Sequence, residues 1–436
     1  MSIAYWQRKI ELLMWFAYAS LYLGRVNLAM ALPVMQGDLG WTTAQVGLVG
    51  GVFFWVYALG QLVNGHLGDR LPSKGIVLIG LIGTAVINAL SGYVSSFTWM
   101  VALWAANGYF QSMGWGPIVK MTSNWVPQNE RGRVSAFLGT SAVGGFMLSW
   151  FLASRLLARY PGSWHMVFWV PSIFLFAVAI IWAVFAKNRP EDVGFSPVNP
   201  IKVENQPLEL KELKIAWKFL GQPGLILLAI VSAFQGMVKD GINLWAPTLL
   251  MQSQDMAISE ATSRSLWIPP FGFLGVLAAG WLSQRTGGDD RRIIGGLYSL
   301  AAVVAVIGAY IIKVQRYSFT VLTIALCSGL IYGINTLLMT SIPLQFQALG
   351  KESTVAGFLD FAAYMGAGLT GVLTGSLLNY WGWPQIMALW GTTCALGAVI
   401  MLINDFEGVL VASRREGVYR YGSKDKDTDL EHLELQ

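Results

Sequence analysis

The sequence predicts an all-α integral membrane protein: twelve transmembrane helices in two pseudo-symmetric six-helix bundles, with both termini in the cytoplasm. Three observations predict it. Hydrophobic residues make up 55% of the chain and charged residues only 12%, with a mean hydropathy of +0.53, beyond the range of a soluble globular domain. Apolar windows of about 19 residues recur along the whole chain. The two halves also carry the same unusual residues in register.

In order, the windows place spans near 11–35, 44–67, 75–95, 98–125, 131–157, 165–186, 223–251, 261–284, 292–313, 317–348, 352–380 and 383–405. Many contain Gly and Pro, which membrane helices tolerate better than soluble ones. Arg8 and Lys9 before the first span superficially suggest a secretory signal. That stretch is too long, carries Glu11 and Arg25, and lacks a small-residue cleavage site, so it reads as a retained first span. Of the 29 Lys and Arg, 21 fall at the N-terminus, in loops after even-numbered spans and in the tail, which sets the cytoplasmic side. The net charge of +5 follows from this bias and implies no nucleic-acid partner. Cys327 and Cys394 lie inside spans, and the three histidines show no metal-ligand spacing, so neither a disulfide, a metal nor another cofactor is expected.

Only 187–222 is polar and long enough to join domains, and it opens on the Pro-broken run Lys187-Asn-Arg-Pro-Glu-Asp-Val-Gly194. The organisation is therefore an N-terminal bundle (1–186), a cytoplasmic linker with a short helix (187–222), a C-terminal bundle (223–405) and a charged tail (406–436). Gly65-His-Leu-Gly-Asp-Arg70 after span 2 is echoed by Gly280-Trp-Leu-Ser-Gln-Arg285 after span 8, an offset of 215. Arg25 and Lys239 stand 214 apart, each followed by a proline eight residues later. Val134-Ser-Ala-Phe-Leu and Val355-Ala-Gly-Phe-Leu form a third echo.

Arg25 and Lys239 are the chemically informative pair. A cation at the bilayer centre costs roughly 2.5–3.5 kcal/mol on insertion scales, so it stands there with a partner or beside water. Two of them, one in each half, suggest a path for an anion. A guanidinium offers paired donors to phosphate or carboxylate, and an ammonium a compact charge. Tyr18, Tyr22 and Arg25 share one helix face, as do Tyr57 with Gln61 and Asp360 with Tyr364. Lys120 in span 4 either lines the path or snorkels to the surface. Asp240 follows Lys239 directly and so points about 100° away, with no need to neutralise it.

Twelve spans as six plus six resemble the major facilitator superfamily, whose members are built from repeats with the site between them. Gly65-His-Leu-Gly-Asp-Arg-Leu-Pro-Ser-Lys74 is similar to that superfamily's loop between spans 2 and 3, which implies that Asp69 and Arg70 hold the gate on the cytoplasmic side. Gly108-Tyr-Phe-Gln-Ser-Met-Gly-Trp-Gly-Pro117, Asn124-Trp-Val-Pro-Gln-Asn-Glu-Arg-Gly132 and Gly357-Phe-Leu-Asp-Phe-Ala-Ala-Tyr-Met-Gly366 resemble the organophosphate:phosphate antiporter family. The glycerol-3-phosphate transporter typifies that family. The resemblance implies that Arg25 binds phosphate and that Tyr18, Tyr22, Tyr57, Tyr332 and Tyr364 surround the substrate. It also places Lys239 where the family has a second arginine, Gln61 in place of its span-2 lysine and Ser141 in place of its span-5 histidine.

The expectation is a secondary active transporter of a small organic anion, most simply a sugar phosphate or glycerol phosphate. It would work by rocker-switch alternating access in exchange for inorganic phosphate, as a monomer in a bacterial inner membrane. One alternative is a proton-coupled transporter of carboxylates or sugar acids, with Asp360 or Asp240 carrying the proton. The other is a transporter-like ligand sensor. No phosphate-cradling glycine loop or nucleophile–base pair points to an enzyme.

Overall fold

The structure, a computed structural model, describes residues 2–127, 130–198, 219–286, 289–346 and 352–403, so most of the expected linker and the tail lie outside the described residues. Among these residues the chain is helical, and its helices group into twelve spans. Span 1 comprises Ile3–Leu23 and Asn27–Leu39, span 2 Thr43–Arg70, span 3 Ser73–Ser91, and span 4 Phe97–Gln111 with Trp115–Trp125. Span 5 is Arg131–Arg159, span 6 Met166–Phe185, span 7 Pro223–Gln254, and span 8 Ile258–Ser265 with Ile268–Arg285. Span 9 is Asp290–Lys313. Span 10 runs as Tyr317–Thr336, a π turn at Leu337–Ser341 and a last turn at Ile342–Leu344. Span 11 is Glu352–Leu377 and span 12 Trp383–Ile403.

Ten helices are long and apolar enough to cross a membrane unaided. The other two expected spans, 1 and 4, are broken, at 24–26 and at 112–114. The Pro-broken start of the linker forms a 3-10 turn, Pro190–Val193, and the short helix expected after it falls outside the described residues. The Asn188 side chain before that turn accepts from the Lys74 amide at 2.8 Å, and its carbonyl accepts from Asn124 at 3.2 Å. The start of the linker is thereby tied to the ends of spans 3 and 4.

Packing repeats with the sequence. Spans 3 and 6, 1 and 5, and 2 and 4 pair in the first half; 9 and 12, 7 and 11, and 8 and 10 pair in the second. Adding six to each number converts one set into the other, as a repeat-built transporter fold requires. Spans 3 and 9 keep uncovered stripes of aliphatic side chains: Ile79, Ile82, Val86 and Leu90 on one, and Leu300, Val303 and Ile307 on the other. Their three-to-four-residue spacing is that of one helix face, and a membrane is the solvent it suits.

The halves meet chiefly through spans 2 and 11, 1 and 7, and 5 and 8. The first contact is a close approach of backbones. A Cβ on Gly47 would lie 2.1 Å from the Gly371 carbonyl oxygen, and one on Gly371 would lie 2.7 Å from that of Gly47. Small residues on both helices permit this, as in other membrane helix pairs. Trp55 Nε1 donates to the Met365 carbonyl at 3.2 Å, and Thr43 Oγ1 to Asn379 at 2.9 Å. Gln252 donates to Gln36 at 3.2 Å and accepts from Trp383 at 3.0 Å, joining the ends of spans 1, 7 and 12. These contacts close one end of the molecule.

Gly371→Val would force spans 2 and 11 apart. Thiol labelling of a Gln36→Cys reporter at the closed end should rise several-fold in that background, in protein that remains monodisperse. Unchanged labelling would show that this glycine contact does not hold the end shut.

Candidate functional site

Between the halves lies a cavity of about 520 Å³. It begins where the closed end stops. On span 11 it is lined by Ala356, Gly357, Asp360 and Tyr364, and from Met365 onward the helix is sealed against span 2. On span 2 the lining runs from Gly50 to Gln61, so the cavity extends away from the seal toward the end that holds the start of span 11.

Arg25 stands at the break in span 1. Interrupting a helix frees backbone groups that lipid cannot satisfy, so neighbouring spans must do so. The Gly24 carbonyl accepts from Asn107 at 2.8 Å and from Asn88 at 3.1 Å, and the Leu21 carbonyl from Gln111 at 2.7 Å. Leu23 and Val26 carbonyls accept from Ser149 at 3.2 Å and Trp150 at 3.1 Å. Asn27 donates to Asn88 and to the Val167 carbonyl, both at 2.9 Å. Spans 3, 4, 5 and 6 thus hold the break. Gly24 admits the asparagines, since a Cβ there would lie 2.6 Å from Asn88 Nδ2.

The guanidinium so positioned is half-buried among aromatic rings. Its central carbon lies 4.5 Å from the Tyr57 ring centroid, 5.3 Å from those of Tyr22 and Phe53, and 5.4 Å from that of Tyr364. Arg25 also donates to the Tyr364 hydroxyl at 3.1 Å, across the interface between the halves. Electron-rich ring faces partly replace the water that the cation has lost. Arg25 is in no described ion pair, and its remaining N–H groups are available to an anion.

Lys239 faces the same space from span 7, with Nζ 5.8 Å from the Tyr364 centroid and 6.0 Å from that of Tyr332. Contrary to the expectation from helix geometry, it is paired with Asp240, Nζ to Oδ2 at 3.4 Å. The long lysine chain bends back over the 100° that separates adjacent positions. Lys239 also donates to Asn335 at 3.4 Å. Asn243 donates to Asp240 Oδ1 at 3.3 Å and to the Tyr332 hydroxyl at 3.0 Å.

The cavity gathers most of the expected residues: Tyr18, Tyr22, Arg25, Tyr57, Gln61, Lys239, Asp240, Tyr332, Asp360 and Tyr364 all line it. Two do not. Lys120 lies beyond the break in span 4, and its ammonium reaches the Leu71 carbonyl at 3.4 Å, between spans 2 and 3. Ser141 is fully buried and donates to the Leu138 carbonyl, because Ala142 and Phe146 hold the lining face of span 5. The Asp69 and Arg70 side chains lie outside the described residues. Sequence reasoning overlooked Asn243 and Asn335, although each sits three or four positions from a singled-out residue on its own helix.

Asn107→Leu removes one donor to the Gly24 carbonyl. It should destabilise the purified protein by about 1–3 kcal/mol, read as a lower thermal midpoint in detergent. An unchanged midpoint would mean that Asn107 is not needed to hold the break.

The chain is 25% identical over 398 residues to the probable hexose phosphate transport protein of Chlamydia pneumoniae, which covers 87% of each chain. It is 24% identical over 420 residues to the glycerol-3-phosphate transporter of Bacillus subtilis (strain 168), covering 93% of this chain and 94% of that one. Its fold resembles a bacterial homologue of the human lysosomal transporter Spinster, in an inward-facing, unoccupied conformation. That match has a TM-score of 0.74 and 17% identity, and covers 94% of this chain and 97% of the other. The model of the Major Facilitator Superfamily matches residues 14–356, and the chain belongs to that superfamily.

Proposed function

We propose that this protein is a secondary active transporter of a small organophosphate, working by rocker-switch alternating access in exchange for inorganic phosphate. The observation that carries the reading is Arg25. It is a cation in no described ion pair, held by a purpose-built helix break at a cavity between two six-span halves. Its neighbours supply phenol hydroxyls and ring faces, and the similar proteins are named for hexose phosphate and glycerol 3-phosphate.

Tyr364 of the second half already touches Arg25 of the first. A phosphoryl group bound to Arg25 and reaching Lys239 would draw the halves together at the open end, while the seal between spans 2 and 11 loosens. A ligand shifts such an equilibrium only by its differential affinity for the two states, and a bridge between the halves supplies that difference. With the Lys- and Arg-rich face in the cytoplasm, the closed end lies outside and the cavity faces inward. A bacterial inner membrane, a monomer, and the bundle boundaries at 1–186 and 223–405 complete the reading.

Asp360 favours one second reading. A carboxylate in the cavity, without an ion pair or hydrogen bond among the described residues, suits a proton-coupled carrier of organic anions.

The test is entry of labelled phosphate into phosphate-loaded liposomes containing the purified protein. Exchange competed by an organophosphate supports the antiporter. Uptake that needs only a pH gradient would replace it with the proton-coupled carrier, and binding without flux would mark a sensor. In the same assay Arg25→Lys should weaken affinity roughly 10–100-fold, because an ammonium lacks the planar fork. Tyr364→Phe should weaken it about 5-fold, the worth of one ordinary hydrogen bond. Wild-type affinity in both variants would remove Arg25 from the site.

A further inference from the structure

We infer that the preferred substrate is a zwitterion: a phosphate ester or phosphonate carrying a protonated amine a short distance from the phosphorus. The inference deepens the organophosphate reading and rests on it.

Charge bookkeeping across the cavity leads to it. The charged side chains that line it are Arg25, Lys239, Asp240 and Asp360, which sum to zero. Lys239 is compensated by Asp240 at 3.4 Å and holds Asn335 besides. Outside that pair stand one cation, Arg25, and one anion, Asp360, which is in no ion pair or hydrogen bond among the described residues. A cavity shaped for a dianion alone would not set a free carboxylate beside its phosphate site, where it repels the ligand.

Position completes the argument. Asp360 and Tyr364 are four residues apart on one face of span 11, about 6 Å along its axis. Tyr364 bonds Arg25, so Asp360 sits on the same face of span 11, one helical turn from Arg25's phenol partner, toward the open end. The walls of the same cavity are rich in aromatic rings: Tyr57 lies 4.7 Å from Tyr364, and Trp115 lies 4.8 Å from Tyr18. Ring faces attract an ammonium as they attract the guanidinium. A short molecule with its phosphoryl oxygens on Arg25 and its ammonium on Asp360 satisfies both free charges and leaves the Lys239–Asp240 pair intact. An uncharged hydroxyl in place of the ammonium would leave Asp360 buried without a partner by the bound ligand.

Binding of 2-aminoethyl phosphate and of its hydroxyl counterpart, 2-hydroxyethyl phosphate, to the purified full-length protein tests this by calorimetry at neutral pH. The amine should bind about 10–100-fold tighter, the range for a hydrogen bond to a charged group. Asp360→Asn should abolish that preference, Asp360→Glu should keep part of it, and Arg25→Ala should weaken both ligands. Equal affinity for the two esters, or a preference that survives Asp360→Asn, would overturn the zwitterion and leave the organophosphate reading standing. No binding of either ester, nor of glycerol 3-phosphate, would overturn both. Size-exclusion profiles matching wild type establish that each variant is folded.

Discussion

The need to keep one permanent charge inside a membrane organises this molecule. Arg25 cannot shed its proton, and hydrocarbon cannot solvate it. The chain answers with three devices at once: a water-accessible cavity, a cage of four aromatic rings, and a phenol hydroxyl from the opposite half. The break in span 1 belongs to the same answer. It presents the guanidinium at an irregular turn, and that irregularity is tolerable only because amides, an indole and a hydroxyl from other spans meet the exposed carbonyls. Deep polar residues in spans 3 to 5 therefore serve the site without touching it.

The second cation is treated differently. Lys239 has its own carboxylate neighbour and an asparagine, while Asp240 is in turn held by Asn243. A buried pair of this kind is no great source of stability, but removing one partner exposes the other's charge at large cost. The two halves thus present unequal faces to the cavity, a free cation on one side and a compensated pair with a free carboxylate on the other. That inequality, and not the pseudo-symmetry of the scaffold, is what gives a bound molecule a direction.

Much of this was legible in the residues. Twelve spans, their order and the repeat followed from apolar windows and from echoes around Arg25, Gly65 and Val134. Charges in apolar segments pointed to the cavity because little else explains them. What could not be read depends on contacts distant in sequence or on rotation about a helix axis. The break at 24–26 exists through donors 60 to 130 positions away, which no local pattern reveals. Ser141 and Lys120 were placed by likeness to a motif or by depth. One step along a helix turns a side chain by about 100°, so Ala142 takes the lining face and Ser141 the buried one. The Lys239–Asp240 pair was missed because Cβ directions were considered and the reach of a four-carbon chain was not.

The seal between spans 2 and 11 has a kinetic consequence. It is made of glycine backbones in van der Waals contact, one indole–carbonyl bond and a few amide and hydroxyl contacts. The described ion pairs all join residues within four positions of one another, so none fastens the halves together. Dispersion contacts are individually weak and unaffected by counterions, whereas charge contacts at a surface are screened. A joint of this composition can part and re-form on every cycle at a rate indifferent to external salt. A bacterium in fresh water and one in brine would find this closed end equally easy to open.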